Sequence, residues 1–261
     1  MRVLSWNIFH GRNQPLDPGQ RTLRGRLRRR RPLFDEFADW IAARDWDVAL
    51  LQEAPPGWFR ALAQRSRAHG TVVLTSRNFG APLRRAIADV APDLIASNEG
   101  GSNQLLVRPP IRIAAVRRVT LALEPERRRM QLARLELPGG RRLCVANMHA
   151  TASRGDRAAA PEVERAAALA VEWAQDDPLV FGGDLNLQPS TVPHTFEALR
   201  ERHGLAPPTS STAIDHLLVR GLEVVEAPLQ LPPEERELEL PGEGRVRLSD
   251  HAPVLASFGM K

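Results

Sequence analysis

Residues 248–254 read LSDHAPV and residues 213–219 read AIDHLLV, so each sets an Asp-His pair against a short apolar run. Four earlier fragments answer them: LSWNI at 4–8, LLQE at 50–53, ANMHA at 146–150 and GGDLN at 182–186. In all six, an apolar strand-like stretch meets a carboxylate, an amide or an imidazole. That layout gathers oxygen ligands and histidines at the mouths of several strands, as metal-assisted hydrolysis of a phosphate ester requires.

Working outward, the pattern predicts alternating strands and helices. Residues 3–8 form a buried first strand, and residues 47–53, DVALLQE, form a second strand covered on both faces. Between them, Pro32 opens a helix whose apolar stripe is Leu33, Phe34, Phe37, Trp40 and Ile41. A helix over 57–69 is expected to stop at Gly70. Strands follow at TVVLTS, SNQLLVR and IRIAAVRRVTLAL, and the Pro138-Gly139-Gly140 turn joins 131–137 to 141–148 as a hairpin. Pro161 opens a helix with Val163, Ala167, Ala170 and Ala174 on one face. Residues 228–244 read as a long surface excursion.

The composition sets limits. The 261 residues, 43% hydrophobic and 26% charged, fit one domain over 1–261. No apolar run reaches the ~20 residues of a membrane helix, and the N-terminus does not read as a secretory signal. Cys144, the lone cysteine, sits between Leu143 and Val145 as a buried strand thiol and excludes an internal disulfide. A cytoplasmic monomer is the expectation. The net charge of +5 and pI near 10.8 favour an acidic partner. The 36 basic residues include one lysine, Lys261, leaving 35 arginines. Arg28, Arg29, Arg30 and Arg31 form the densest basic run, readable either as a nucleic-acid rim or as a product of that arginine bias.

Taken alone, each motif has a plain structural reading. Glu53 could pair with an arginine, Asn7 could bond backbone, Asp184 and Asn186 could form an Asx turn, and His149 could be a satisfied strand-end imidazole. As extended residues two apart, Asp184 and Asn186 would instead converge on one water or phosphate. Together and in this order, the six fragments resemble the endonuclease/exonuclease/phosphatase superfamily, the DNase I-like fold, over residues 3–258.

The resemblance implies an α/β protein: a four-layer α/β/β/α sandwich of two packed mixed β-sheets flanked by helices, with the site at one end. It implies Mg²⁺ or Mn²⁺ on Glu53 and Asn7 with Asp250 in or near the shell, and Asp184 activating the attacking water. His149, Asn186 and His251 would hold phosphoryl oxygens, and Asp215 would orient His251. Asn103 would reach the phosphate, while His216 would be packed. Which of His149 and His251 is the general acid stays open. His149 stands where the AP-endonuclease branch carries Asn, which sets this chain apart from those repair enzymes. The expected activity is hydrolysis of nucleic-acid phosphodiesters. The alternative substrates are a lipid headgroup, an inositol phosphate or a nucleotide, and the remaining class is a binding protein that keeps the fold.

Overall fold

The computed structural model describes residues 1–16, 33–75, 101–124, 127–152, 155–241 and 244–261; Arg28, Arg29, Arg30 and Arg31 fall outside them. In chain order the strands and α-helices are β1 (Arg2–Asn7), β2 (Asn13–Pro15), α1 (Phe34–Ala43), β3 (Val48–Ala54), α2 (Phe59–Arg65), β4 (His69–Leu74) and β5 (Ser102–Val107). Then come β6 (Arg112–Ala122), β7 (Arg128–Glu136), β8 (Arg142–His149), α3 (Asp156–Ala174), β9 (Leu179–Asp184) and α4 (Pro193–His203). The chain closes with β10 (Asp215–Arg220), β11 (Leu222–Gln230), β12 (Glu237–Leu240), β13 (Gly244–Leu248) and β14 (Val254–Met260). Among the described residues, one sheet runs β11-β14-β1-β3-β5-β4, a second β10-β9-β8-β7-β6, and a small third β12-β13-β2. The two large sheets pack face to face with helices outside, the four-layer sandwich expected from the resemblance. No described helix is long and apolar enough to cross a membrane.

The two-residue period of a strand explains both the packing and the site. Leu4 and Trp6 of β1, with Ile8 just after it, pack with Phe37, Ile41 and Leu62 from α1 and α2. Val3 faces the opposite sheet, packed with Val145, Val180 and Leu217. On the second sheet Cys144, Ala146 and Phe181 face outward to Val163, Ala167 and Ala170 of α3, with Phe196 and Leu199 of α4. Three apolar layers therefore hold the sandwich, each fully buried aliphatic side chain contributing about 1.5–3 kcal/mol. Towards one end, the inward positions change character: Val3 gives way to Ser5 and Asn7, Val145 to Asn147 and His149, and Val180 to Gly182 and Asp184.

The central pairs β1/β3 and β8/β9 are parallel, while their flanking neighbours are antiparallel. The carboxyl ends of both parallel pairs carry the polar residues, the end of a sheet where loops are free to hold ligands.

Three sequence expectations shift. The helix over 57–69 is the shorter α2 after a 3-10 turn Pro56–Trp58, and Gly70 lies within β4. A Cβ on Gly70 would stand 2.1 Å from the Leu105 carbonyl oxygen, so this glycine marks close strand approach and not a helix stop. Helix α3 begins at Asp156, with Pro161 inside it, because the Val163–Ala174 apolar face anchors the whole length. The stretch 228–244 is no simple excursion: it finishes β11, makes a 3-10 turn Pro233–Arg236 and pairs β12 with β13.

Gly183, at φ +128°, has its missing Cβ position 1.9 Å from the Met148 carbonyl oxygen of β8. Gly140 also has positive φ, +76°, but open space around it. Gly183→Ala should therefore lose at least about 3 kcal/mol in urea denaturation, from overpacking plus backbone strain, against about 1 kcal/mol for Gly140→Ala. Equal losses would show that β8 and β9 do not need this approach.

Candidate active site

Strand ends from both sheets converge here. Asn7, at the end of β1, donates Nδ2–H to Asp184 Oδ2 at 2.9 Å across the sandwich, and its Oδ1 accepts the Phe9 N–H at 3.0 Å. Asp184 Oδ1 accepts the Asn186 N–H at 3.0 Å. Asn186 is left-handed, φ 51°, and not extended, so GGDLN does form a local turn. The Asn186 side chain donates to the Ala150 carbonyl at 3.0 Å, tying this loop to the one after His149. Asp184 is 1% exposed; burial first, then the charge of Asp215, pushes its carboxyl up to about 7 against the pull of His251, Asn7 and Asn186.

The two histidines sit in opposite fields. His149 Nε2 lies 3.4 Å from Asp184 Oδ2 and 3.7 Å from Glu53 Oε1. On its other side Arg128 Nη1 is 3.1 Å from His149 Nδ1. A guanidinium only donates, so Nδ1 accepts and the neutral ring carries its proton on Nε2. Burial, then the charges of Arg128, His251 and His10, holds His149 well below the usual imidazole range. His251 Nδ1 instead meets Asp215 Oδ2 at 2.8 Å. Burial works against its charged form, but the Asp215 bond and charge, with Asp184 and Asp250, push His251 up to about 10. One imidazole is held neutral and the other positive.

Glu53 ends the described polar run of β3 in a left-handed conformation, φ 50°. Its carboxylate is 23% exposed, with Oε2 3.2 Å from His10 Nε2. Among the described residues its ion-pair partners are imidazoles, not the arginine that LLQE alone suggested. Asp250 lies near enough that the Glu53 charge, added to burial, raises its carboxyl above the ordinary value. Two carboxylates that repel each other, with Asn7 at the neighbouring strand end paired to Gln52, form a hard oxygen set suited to a divalent cation. Asp184, Asp215 and His251 also bring ligand atoms within 4.8 Å of one another. In that trio Asp215 and His251 are already paired with each other at 2.8 Å, and Asp184 with Asn7 and Asn186.

The supports come from residues that were not among the candidate site residues. Ser249, left-handed at φ 57°, donates Oγ–H to the Asn7 carbonyl at 2.6 Å and accepts the His251 N–H at 3.1 Å. Arg236, from the stretch read as an excursion, donates to the Leu248 and Ser249 carbonyls at 3.0 and 2.7 Å. Trp6 Nε1–H holds the His251 carbonyl at 2.9 Å. Arg128, Arg236 and His10 had no local signal among 35 arginines and seven histidines. Asn103 is buried with Nδ2–H on the Arg129 carbonyl at 3.0 Å, which fixes the start of β7 beside Arg128. His216 is packed as expected: Nε2 meets the Leu187 carbonyl at 3.0 Å and Nδ1 accepts the Thr209 N–H at 3.1 Å.

With this geometry in view, the comparisons with known proteins agree on a family. The profile of the Endonuclease/Exonuclease/phosphatase family matches residues 4–251. The chain belongs to that family, whose members hydrolyse phosphoesters. No curated protein matches it by sequence. Among solved structures, the human Nocturnin catalytic domain with bound sulfate is similar at 18% identity and a TM-score of 0.70, covering 100% of this chain and 94% of that one. A mannosyl-6-phosphatase of Bacteroides thetaiotaomicron is similar at 14% identity and a TM-score of 0.70, with 99% of each chain covered. D. rerio TDP2 complexed with a single-strand DNA product is similar at 14% identity and a TM-score of 0.60, covering 100% of this chain and 99% of that one.

Arg128 should set the tautomer of His149. In ¹⁵N-histidine NMR of the metal-free protein, His149 should be the neutral Nε2–H form, and Arg128→Leu should abolish that preference. Turnover should fall about 10–100-fold, as for other residues that orient a working imidazole. An unchanged nitrogen spectrum in the variant would remove Arg128 from this role.

Proposed function

We propose that this member of the endonuclease/exonuclease/phosphatase family is a divalent-metal-dependent hydrolase of phosphodiesters in nucleic acid. The observation that carries the reading is the convergence, at one end of the sandwich, of buried Asp184, neutral His149 and the His251–Asp215 pair beside Glu53. Net charge of +5 supports a polyanionic substrate. The DNA product held by TDP2 is consistent with that class within the same fold.

Asp184 takes a proton from a water placed opposite the leaving oxygen, and its buried, near-neutral carboxyl suits that task. The Asn7 amide and the Asn186 N–H hold the carboxylate still during the transfer. His149 gives its Nε2–H to a non-bridging phosphoryl oxygen. Arginine behind it keeps that ring a neutral donor. His251, kept protonated by Asp215, gives its Nε2 proton to the leaving oxygen. Asn186 retains a second amide N–H for the phosphate after its bond to Ala150. Asn103 contributes through Arg129 and Arg128, by anchoring the strand that carries them. Glu53, Asn7 and Asp250 would hold a Mg²⁺ or Mn²⁺ ion, which would supply Lewis-acid neutralisation of charge on the phosphoryl oxygens.

Glu53→Gln keeps the size of the side chain but removes its charge, so turnover should fall at least ~100-fold with folding intact. Retained activity at low Mg²⁺ would remove Glu53 from the cation site. His251→Ala and Asp215→Asn should each cost several orders of magnitude, while the double variant should be little worse than His251→Ala. Additive losses would assign Asp215 to another partner. Substrate class is settled by assaying plasmid, labelled single strands, inositol phosphates and sphingomyelin with Mg²⁺. Cleavage confined to the last two would overturn the nucleic-acid reading and leave the phosphoesterase chemistry standing.

A further inference from the structure

We propose that His10 is a nitrogen ligand of the divalent cation, so that the site favours manganese over magnesium. The inference rests on the reading that places a cation at Glu53. His10 Nε2 stands 3.2 Å from Glu53 Oε2. Two ligand atoms bound at about 2.1 Å and at right angles are roughly 3 Å apart, so this spacing lets both meet one ion.

The backbone is bent to produce that approach. Phe9, His10 and Gly11 are consecutively left-handed, at φ 46°, 54° and 74°. For the two non-glycine residues this conformation is strained, and it persists only where the surroundings enforce it. They do so from both sides. A Cβ on Gly11 would lie 2.0 Å from the Trp58 ring, and the Gly11 carbonyl accepts the Leu33 N–H at 3.0 Å. A Cβ on Gly101 would lie 3.3 Å from His10 Cε1 and 3.5 Å from Glu53 Cα, so Gly101 clears the space in which the two meet.

Geometry separates His10 from its neighbours. Nδ1 of His149 is engaged by Arg128 at 3.1 Å, and Nδ1 of His251 by Asp215 at 2.8 Å. His10 turns its Nε2 to Glu53, with its side chain 18% exposed. A lone imidazole among carboxylate and amide oxygens shifts selectivity from magnesium, which prefers oxygen donors, towards first-row ions such as manganese.

Mn²⁺ alone is the probe, added to the metal-free full chain and followed by EPR, with Mg²⁺ affinity read by competition. Wild type should show a directly bound ¹⁴N in electron spin-echo modulation, and His149→Gln should keep it. His10→Asn, which tolerates the left-handed turn, should lose the coupling and lower the Mn²⁺-to-Mg²⁺ affinity ratio about tenfold. His10→Gln serves as a second variant, with circular dichroism to confirm folding. A ¹⁴N coupling that survives both changes, or affinities for the two ions that fall together, would reduce His10 to a hydrogen-bond partner of Glu53 and overturn the proposal. Glu53→Gln reports on the parent reading separately: undiminished Mn²⁺ binding there would remove the cation site itself.

Discussion

The bond from Asn7 to Asp184 crosses between the two large sheets, and the rest of the site is arranged around it. Burying a carboxylate costs several kcal/mol unless donors replace its hydration. Asp184 receives one donor from β1 across the sandwich and one from its own turn, with neutral His149 close by. Beneath it the polar contact continues, since Gln52 donates to Asn147 at 2.8 Å and Asn147 donates to the Gln104 carbonyl at 2.9 Å. These inter-sheet bonds lie one or two residues before Glu53 and His149. They fix the relative slide of two otherwise greasy surfaces, which aliphatic packing alone specifies weakly. A one-residue slip would turn Asn7, His149 and Asp184 away from one another.

Backbone strain follows the same geography. Of the seven described non-glycine residues with positive φ, Phe9, His10, Glu53, Asn186 and Ser249 lie in the site loops or at the strand end beside them. Each would relax if its neighbours allowed it. What holds them is the set of bonds that cross between loops: Ser249 to Asn7, Asn186 to Ala150, and Arg236 to residues 248 and 249. Rigid sheets therefore position the ends, and strained turns aim the side chains.

This division explains what the sequence revealed. Strands were legible because two-sided burial writes continuous apolar runs, and the polar residues that end those runs stood out as Asn7, Glu53, His149 and Asp184. The four layers came from the family resemblance, since period-two patterns do not say which sheet a strand joins. Gly70 and Pro161 misled because their usual meaning as punctuation gave way to tertiary demands: a strand approach at 2.1 Å and a long apolar helix face. Arg128 and Arg236 were invisible for another reason. In a chain with 35 arginines a buried, working guanidinium has no compositional contrast, and only its contacts distinguish it. His10 lay within two residues of a recognised motif end, but the left-handed turn that folds it back onto Glu53 has no period to read.

The charges in the cleft make an argument that no single motif carries. Glu53, Asp184, Asp215 and Asp250 bring four carboxyl groups to one end of the sandwich, and among the described residues Arg128, Arg236 and protonated His251 are positive charges near them. Asp215 and His251 compensate each other directly, and Arg128 is turned to the far side of His149. Glu53 and Asp250 are left facing the open side with mutual repulsion. A phosphodiester brings another negative charge into this field, and in a partly dry cleft such repulsion is far stronger than in water. Under the proposed function, an added cation would offset this repulsion and let the phosphate settle beside His149 and His251 before any proton moves. On that proposal, the same carboxylates that would repel a bare substrate would hold the ion that lets it in.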